Sequence, residues 1–381
     1  MPKSLFYIVL FSLISTVPAM PVTVADEPEA GLSIPQVALL IASAEPDVAD
    51  KNDWASDLLD ALVANRLPRN KENVCAMIAV IDQESSFAAN PRIPQGTGKR
   101  ALLNKLNENT LKIGEQILPF IKEFFPTFTS QIENAKTEKD IDLAYRDLIV
   151  NIRKLSSLDV LGQNNPIDTI GSMQVAVRFA VRHEVYKHNR EQSLDEEWRI
   201  RNRLYTRKGG LYYGAAQLLA YDTGYEKKLF RFSDFNAGRY ASRNAAFQDT
   251  VAVMLGKKLA LDGDLLSYDS GGNPSEAISN SESAIRELSD RFRLDMSDSQ
   301  IRVDLLEEKT YAFNNTMTYT AIIRLYKKQK GAEPAYARLP DIVLKSEKFA
   351  KSRKMTTAKF AKSVNARYQQ CIVRALNLPN I

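Results

Sequence analysis

The amino-acid sequence predicts a mostly α-helical protein. Apolar residues recur at three- and four-residue spacing along most of the 381 residues, which is the period of a helix with one buried face. Alternating apolar and polar runs, which mark half-buried strands, are scarce. With 44% hydrophobic and 25% charged residues, the composition is that of a folded protein with a sizeable core. We expect one large domain or two smaller ones.

The first 25 residues have the pattern of a secretory signal peptide. Lys3 supplies a short positive region, Leu5 to Val17 an apolar core, and Ala19 or Ala25 the small residue of a cleavage site. The apolar run is too short for a transmembrane helix, no later segment is apolar enough, and no lipid-accepting cysteine follows it. We therefore expect a periplasmic protein without an integral membrane segment after signal cleavage.

Helical stretches alternate with segments rich in Pro, Gly, Ser and Asn, which are typical of turns and loops. No internal repeat is visible. The predicted helical segments are Ser33–Ala44, Asp53–Ala64, Asn70–Phe87, an insertion at about 99–160 that breaks at Pro126, 171–188, Leu211–Tyr221, Asn244–Leu261 and Ala284–Leu376. The predicted loops are Asn90–Gly98, Gly162–Gly171, Tyr205–Gly210 and Ser267–Ser283, while Asp234–Gly238 is predicted to open the helix that follows it.

The segment from Asn70 to Phe87 carries the candidate catalytic residue. Asn70 is suited to cap the first turn, because its side-chain oxygen can accept a hydrogen bond from an unpaired amide. Glu84 continues an apolar stripe, so burial would raise the pKa of its carboxyl, as a general acid near neutral pH requires. In the alternative interpretation, the helix ends near Ser85 and Glu84 turns to solvent. The stripe consists of Val74, Met77, Ile78 and Ile81.

Four short motifs occur in a fixed order. They are Glu84-Ser85-Ser86-Phe87, Gly171-Ser172-Met173-Gln174, Tyr213-Gly214-Ala215-Ala216-Gln217-Leu218-Leu219 and Phe235-Asn236-Ala237-Gly238. In this order, in an exported protein, they resemble the motifs of the lysozyme-like lytic transglycosylases and goose-type lysozymes. The resemblance covers about residues 70–247. Because the Gly-, Ser- and Asn-rich segment Ser267–Ser283 is a candidate boundary, we expect a lysozyme-like domain at 26–266 with a helical insertion, and a helical C-terminal extension at 267–381 that packs on it.

The resemblance implies that Glu84 is the only catalytic carboxylate. It would protonate the glycosidic oxygen between N-acetylmuramic acid and N-acetylglucosamine in peptidoglycan glycan strands. It would then act as a base toward the muramyl C6 hydroxyl and leave a 1,6-anhydro end. Asp82, Asp222 and Asp234 are candidates for a second carboxylate. However, Asp82 points to another face of the helix, and we expect the other two to cap a helix or to be solvated.

The resemblance also implies a set of substrate-binding residues. The glycine of the second motif would allow a sugar to approach the backbone, and Gln174 would donate to and accept from an N-acetyl group. The ordinary alternatives are an exposed Gln174 or Gln217, a turn asparagine at 236 and a core tyrosine at 319. The predicted set is Ser85, Gly171, Met173, Gln174, Gln217, Phe235, Asn236 and Tyr319.

The sequence departs from the resembled family in three places. Phe235 stands where the family has a tyrosine, Asn315 stands where a late motif usually has Glu, and the gap between Glu84 and Gly171 is unusually long. These departures leave two functions open. The first is a peptidoglycan lyase that uses Glu84, and the second is a glycan-binding or envelope scaffold protein that does not cleave.

Other chemistry finds little support in the sequence. The net charge of +5 suits adsorption to an acidic polymer such as cell wall, but no basic tract suggests nucleic-acid binding. His183 and His188 are five residues apart, which does not place them on one helix face to bind zinc. We expect no metal and no cofactor. Cys75 and Cys371 can form one disulfide, although a buried free thiol is equally compatible with the sequence.

Overall fold

Helices make up most of the described chain, which confirms the mostly α prediction. The computed structural model describes residues 31–93, 118–155, 165, 167–188, 193–269, 271–343 and 355–378. These residues belong to one unit, Gly31–Ile381. The predicted signal peptide and the first part of the insertion lie outside the described residues.

The helices are α1 Ile34–Ala44, α2 Lys51–Ala64, α3 Lys71–Ser85, α4 Leu118–Asn134, α5 Glu138–Leu155, α6 Val177–His188, α7 Leu194–Leu204, α8 Arg207–Leu219, α9 Lys228–Ala237, α10 Ala241–Leu255, α11 Asn280–Phe292, α12 Asp298–Leu305, α13 Met317–Lys330 and α14 Thr357–Ala375, with a 3₁₀ helix at Tyr311–Asn315. A two-residue antiparallel hairpin, β1 Thr169–Ile170 and β2 Val175–Ala176, precedes α6. Within the described residues, every helix is too short or too polar to cross a membrane.

Side-chain caps begin most of these helices. Asn70 caps α3 as predicted, because its side chain accepts a hydrogen bond from the Asn73 amide. Thr206 caps α8 in the same way through the Gly209 amide, at 3.0 Å. The prediction of a turn at Tyr205–Gly210 is therefore wrong for its second half, since α8 already begins at Arg207.

Three further boundaries differ from the predictions. Asp234–Gly238 ends α9 and does not open the next helix, because Gly238 has a φ of 106° that closes α9. The segment after Gly171 first forms the hairpin, and its helix begins only at Val177. Pro126 lies inside α4 rather than ending it. This proline removes one backbone hydrogen bond, while Phe128 and Ile132 beyond it are buried in the core and hold the helix in place.

The described residues form two hydrophobic cores. The first is built by α1 to α9 with α14, and the second by α10 to α13 with the loop around Leu265. Residues on both sides of the predicted boundary at 266/267 therefore share the second core. The last helix, α14, returns to the first core and packs against α3 and α9.

A disulfide joins α3 to α14. Cys75 and Cys371, 296 residues apart, are bonded and buried, so the disulfide prediction is confirmed. A buried ion network fixes the insertion in a similar way. Asp142 of α5 pairs with Arg201 of α7 at 3.0 Å, and Arg201 also donates to the Ile167 carbonyl next to the hairpin at 2.8 Å. Both connections hold together elements that are distant in sequence.

Candidate functional site

A cleft of about 990 Å³ opens between the end of α3, the hairpin, the ends of α8 and α9, and the start of α14. Six of the nine predicted site residues line it. They are Glu84, Ser85, Gln174, Gln217, Phe235 and Asn236. The three others, Gly171, Met173 and Tyr319, do not line it.

Glu84 lies in the last turn of α3 and is partly exposed. Among the described residues that line the cleft, it is the only carboxylate. The helix ends one residue later, because Ser86 adopts a left-handed backbone with a φ of 48°. The Ser85 hydroxyl donates to the Ser172 carbonyl at 2.8 Å and so attaches this helix end to the hairpin turn.

Helix α14 holds the turn that precedes Glu84. Arg367 donates to the Asp82 carboxylate at 2.8 Å, and Ser363 donates to the Gln83 side chain at 2.7 Å. Asp82 thus faces away from the cleft, as its helix position predicts, and serves as an ion-pair partner. The disulfide at Cys75 adds a covalent attachment two turns earlier on α3. The position of Glu84 is therefore set from two sides.

The Gly171–Gln174 turn is held by the protein's own contacts. Gly171 has a φ of 84°, and a Cβ at this position would lie 2.3 Å from the Leu204 carbonyl. The glycine is therefore required by packing against α7, which corrects the prediction that it lets a sugar approach. Met173 is fully buried against Gly214 of α8, where an added Cβ would lie 2.1 Å from its sulfur. It too supports the turn from within the core.

Gln174 lines the cleft, but its amide already has partners. Its nitrogen donates to Glu138 at 3.0 Å and to the Gly171 carbonyl at 3.2 Å, so both amide hydrogens are used. Its oxygen accepts from the Thr169 hydroxyl at 3.0 Å. Gln174 thereby connects the hairpin to α5 of the insertion. Its predicted role as a donor to a sugar would require one of these bonds to break.

Gln217 of α8 has the opposite arrangement. It is only 8% exposed, which corrects the interpretation of Gln217 as a residue on the wet face of its helix. Its nitrogen donates to the Phe235 carbonyl at 2.9 Å, while its oxygen is buried and finds no hydrogen-bond partner among the described residues. An unpaired buried acceptor costs free energy in the protein alone. Beside a cleft, it is a suitable partner for a ligand N–H or O–H group.

The last turn of α9 forms the opposite wall. Asn236 is exposed, and its side-chain oxygen accepts a hydrogen bond from Thr357 of α14 at 3.1 Å. Phe235 is nearly buried beside it, and its carbonyl accepts from Gln217. The cleft therefore places an exposed amide next to an aromatic ring. Helix α14 supports this wall as well as the Glu84 wall.

Tyr319 lies away from the cleft. Its ring packs in the second core against Phe247 and Phe313, with centroid distances of 5.2 and 5.3 Å. The prediction that Tyr319 supports the site is therefore wrong, and the alternative of a core tyrosine describes its place. Thr316, three residues before Tyr319, caps α13 with its side chain. A short motif can match by sequence while its residues fold into a different core.

Asp234 is buried behind the cleft wall. It is 1% exposed and accepts hydrogen bonds from the Tyr225 hydroxyl, the Tyr240 amide and the Ser242 amide, at 2.7, 2.9 and 2.7 Å. It caps the start of α10, so the expectation of a cap is met and that of solvation is not. Burial raises the pKa of its carboxyl to about 6 against the hydrogen bonds, which lower it. Asp222 is exposed and does not line the cleft.

Several cleft residues were not predicted from the sequence. They are three arginines and three large apolar residues: Arg92, Arg178, Arg239, Phe179, Met355 and Phe360. Arg239 directly follows the Phe235–Gly238 motif, so extending that motif by one residue would have found it. Met355 and Phe360 belong to the segment that enters α14. The possible Cys75–Cys371 disulfide does link the C-terminal helix to the Glu84 helix, but it does not show which residues near the start of α14 reach the cleft.

Comparison with known proteins identifies the family. A family model described as "Protein of unknown function (DUF1615)" matches residues 47–374. The chain belongs to the DUF1615 family. The match runs from just before α2 into α14, so it contains the whole cleft, the second core and all of the first core except α1. The chain is also similar to the "Uncharacterized protein YaiW" of Escherichia coli (strain K12), with 35% identity over 330 residues, which cover 85% of this chain and 86% of that protein. No solved structure matches the chain.

Proposed function

We propose that this DUF1615 protein is an exported peptidoglycan lytic transglycosylase. It cleaves the β-1,4 bond between N-acetylmuramic acid and N-acetylglucosamine and leaves a 1,6-anhydromuramyl end. One observation carries the proposal. Residues from all four motifs lie around one cleft, although the motifs are far apart in sequence, and Glu84 is the only carboxylate among the described residues of its lining.

In this mechanism Glu84 acts twice. Its protonated carboxyl donates a proton to the glycosidic oxygen while the bond to the muramyl C1 breaks. The resulting carboxylate then removes the proton of the muramyl C6 hydroxyl as that oxygen bonds to C1. The carboxyl gives up one proton and takes up another, so Glu84 ends the reaction protonated, as it began. The reaction needs no second carboxylate and uses no water molecule as a reactant. A cleft wall that also carries the apolar side chains of Phe179 and Phe235 suits a reaction without water.

Two further features support the proposal. Asn236 exposes an amide, and the Gln217 oxygen is an unpaired acceptor, so the cleft has polar groups that match acetamido and hydroxyl groups. The Cys75–Cys371 disulfide supports export, because structural disulfides persist in oxidising compartments. It agrees with the signal-like pattern of the first 25 residues, and both favour a periplasmic location.

A second candidate function also has an observation in its favour. Tyr319 does not support Glu84, and both amide hydrogens of Gln174 are used within the protein. These are departures from the resembled catalytic pattern. They favour a lysozyme-like protein that binds glycan, or holds an envelope partner, without cleaving it.

Incubation of purified sacculi with the mature protein tests the proposal. We expect soluble muropeptides with 1,6-anhydro ends, identified by mass spectrometry, and a loss of at least about 100-fold with Glu84→Gln, since general acid–base catalysis contributes about that much or more. Glu72→Gln makes the same chemical change in the first turn of α3 and should retain full activity. Products with reducing ends would indicate a hydrolase. Sacculi that bind both proteins without release would support the binding function and contradict the enzyme.

A further inference from the structure

Three cleft arginines have no acidic partner among the residues that the structure describes. Arg92, Arg178 and Arg239 line the cleft, and no carboxylate within the described part of the chain forms an ion pair with them. Other arginines of the same chain do form such pairs, as Arg201 does with Asp142 and Arg367 with Asp82. Within the described part of the chain, the positive charge of the cleft is therefore not compensated by ion pairs.

Arg239 shows this most clearly. Its guanidinium lies between the rings of Phe179 and Tyr221, 4.9 and 4.7 Å from their centroids. One terminal nitrogen donates to the Ala216 carbonyl at 2.6 Å, while the buried Nε has no partner among the described residues. Burial lowers the pKa of this group, which means that its charged form loses hydration. A bound anion would restore that lost stabilisation.

The charge balance of the cleft favours anionic ligands. The charged groups among the described lining residues are three guanidinium groups and the single carboxylate of Glu84. Cationic clefts with low-dielectric walls attract anions and bind them through charge-assisted hydrogen bonds. An uncharged glycan would gain nothing from this field. The anions of peptidoglycan are carboxylates, and most of these belong to the peptide stems on its muramic acid residues.

We propose that the cleft binds glycan strands that still carry their peptide stems, with Arg92, Arg178 and Arg239 recognising the stem carboxylates. This inference rests on the proposed peptidoglycan ligand. It adds the substrate class, namely peptide-substituted strands rather than strands already stripped of peptide. In this proposal Glu84 cleaves the glycan backbone, and the three arginines bind the carboxylates of the peptide stem beside it.

Binding experiments in the Glu84→Gln background test this without cleavage. Three labelled ligands are compared at low salt. They are peptide-bearing strands, the same strands with all carboxylates converted to amides, and strands stripped of peptide, whose only carboxylate is the lactyl group that removal of the stem sets free. We expect the peptide-bearing strands to bind about tenfold or more tightly than either of the others. The difference should shrink as ionic strength rises, because salt screens exposed charges. Equal binding of the stripped strands would overturn the proposal.

Arginine variants locate the effect. Arg92→Gln with Arg178→Gln removes two exposed charges and should bring the preference close to one. Arg182→Gln is the matched control. It lies one turn further along α6, outside the cleft lining, and donates to the carbonyls of Gly271 and Gly272. It should keep the full preference. The proposal would be overturned if the Arg92→Gln/Arg178→Gln double variant kept the preference for peptide-bearing strands. It would also be overturned if polyglutamate competed as well as the peptide-bearing strand does.

The two proposals can fail separately. If sacculi yield no anhydro products but the ligand preference holds, the cleavage proposal fails and the recognition of stem carboxylates stands. If anhydro products form and all three ligands bind alike, the lyase stands and the inference about the arginines fails. The readouts are independent, because one measures products of active protein and the other measures affinity of inactive protein.

Discussion

At the residue scale, the cleft combines side chains with satisfied and unsatisfied polar groups. Gln174 donates both amide hydrogens, to Glu138 and to the Gly171 carbonyl. The side-chain oxygen of Gln217, in contrast, is buried and has no hydrogen-bond partner among the described residues. The first arrangement stabilises the hairpin turn, and the second leaves an acceptor beside the ligand space. Two glutamines that look alike in sequence therefore have different parts in the site.

The Gln217 acceptor can be tested by substitution. Gln217→Leu removes the unpaired oxygen, and it also removes the donor to the Phe235 carbonyl, so the two effects on stability oppose each other. We expect the free energy of unfolding to change by no more than about 1 kcal/mol, while glycan affinity falls about tenfold. Urea unfolding and a binding titration measure the two quantities. Unchanged affinity would show that the oxygen does not contact the ligand.

Asp234 predicts a pH dependence of stability. Its folded pKa of about 6 lies above the ordinary value of 3.8, so the folded state holds this proton more tightly than the unfolded state. The resulting stabilisation is fully present below about pH 4 and is lost as the pH rises through about 6, with a total of about 3 kcal/mol. Urea unfolding from pH 4 to 7 measures it.

Asp234→Asn provides the comparison for that experiment. The asparagine cannot ionise, so the advantage of the wild type over the variant should decrease across the same pH window. The variant should be less stable throughout, because its NH₂ group faces backbone amides that now bond to the carboxylate. Parallel pH curves for the two proteins would contradict the assigned shift.

At the element scale, α14 supports both walls of the cleft. It contacts the Glu84 wall through Arg367 and Ser363 and the opposite wall through Thr357. The disulfide to α3 makes this support covalent. An element more than 270 residues from Glu84 in sequence thus determines how the candidate acid is held. The hairpin and α8 do the same from the other side, with Gly214 leaving room for Met173.

Removal of the disulfide should weaken the whole first core. Cys75→Ala with Cys371→Ala is expected to lower the free energy of unfolding by about 2 to 5 kcal/mol, since a native cross-link restricts the unfolded chain. The urea midpoint measures the change. Wild-type protein that has been unfolded, reduced and refolded under reducing conditions should show a similar loss of stability. Free thiols titrated in unfolded, unreduced wild-type protein would show instead that the two cysteines are not bonded.

At the scale of the whole molecule, the described chain is built from two cores that the sequence order does not separate. Helix α10 begins the second core directly after the cleft motif, and α14 returns to the first core after α13. The family match covers this arrangement from α2 into α14. We infer that the DUF1615 family shares both cores from α2 onwards, together with the cleft among the elements of the first core.

Local patterns in the sequence determined the helices and much of the cleft. Helical spacing, caps such as Asn70 and the order of four motifs predicted the mostly α fold and six residues that line one cavity. They did so because capping and amphipathic burial act between residues that are close in sequence. The same local reasoning failed at Tyr319, since a short motif carries no information about which core will bury it.

Only the tertiary structure decided what those residues contact. Whether Gly171 meets a sugar or Leu204, and whether Gln217 is wet or buried, depends on elements that come together from distant parts of the chain. Cys75 forms a disulfide because α14 returns to the first core and brings Cys371 next to it. The same return places Met355 and Phe360 in the cleft lining. Such contacts follow from the packing of whole helices, which no local spacing encodes.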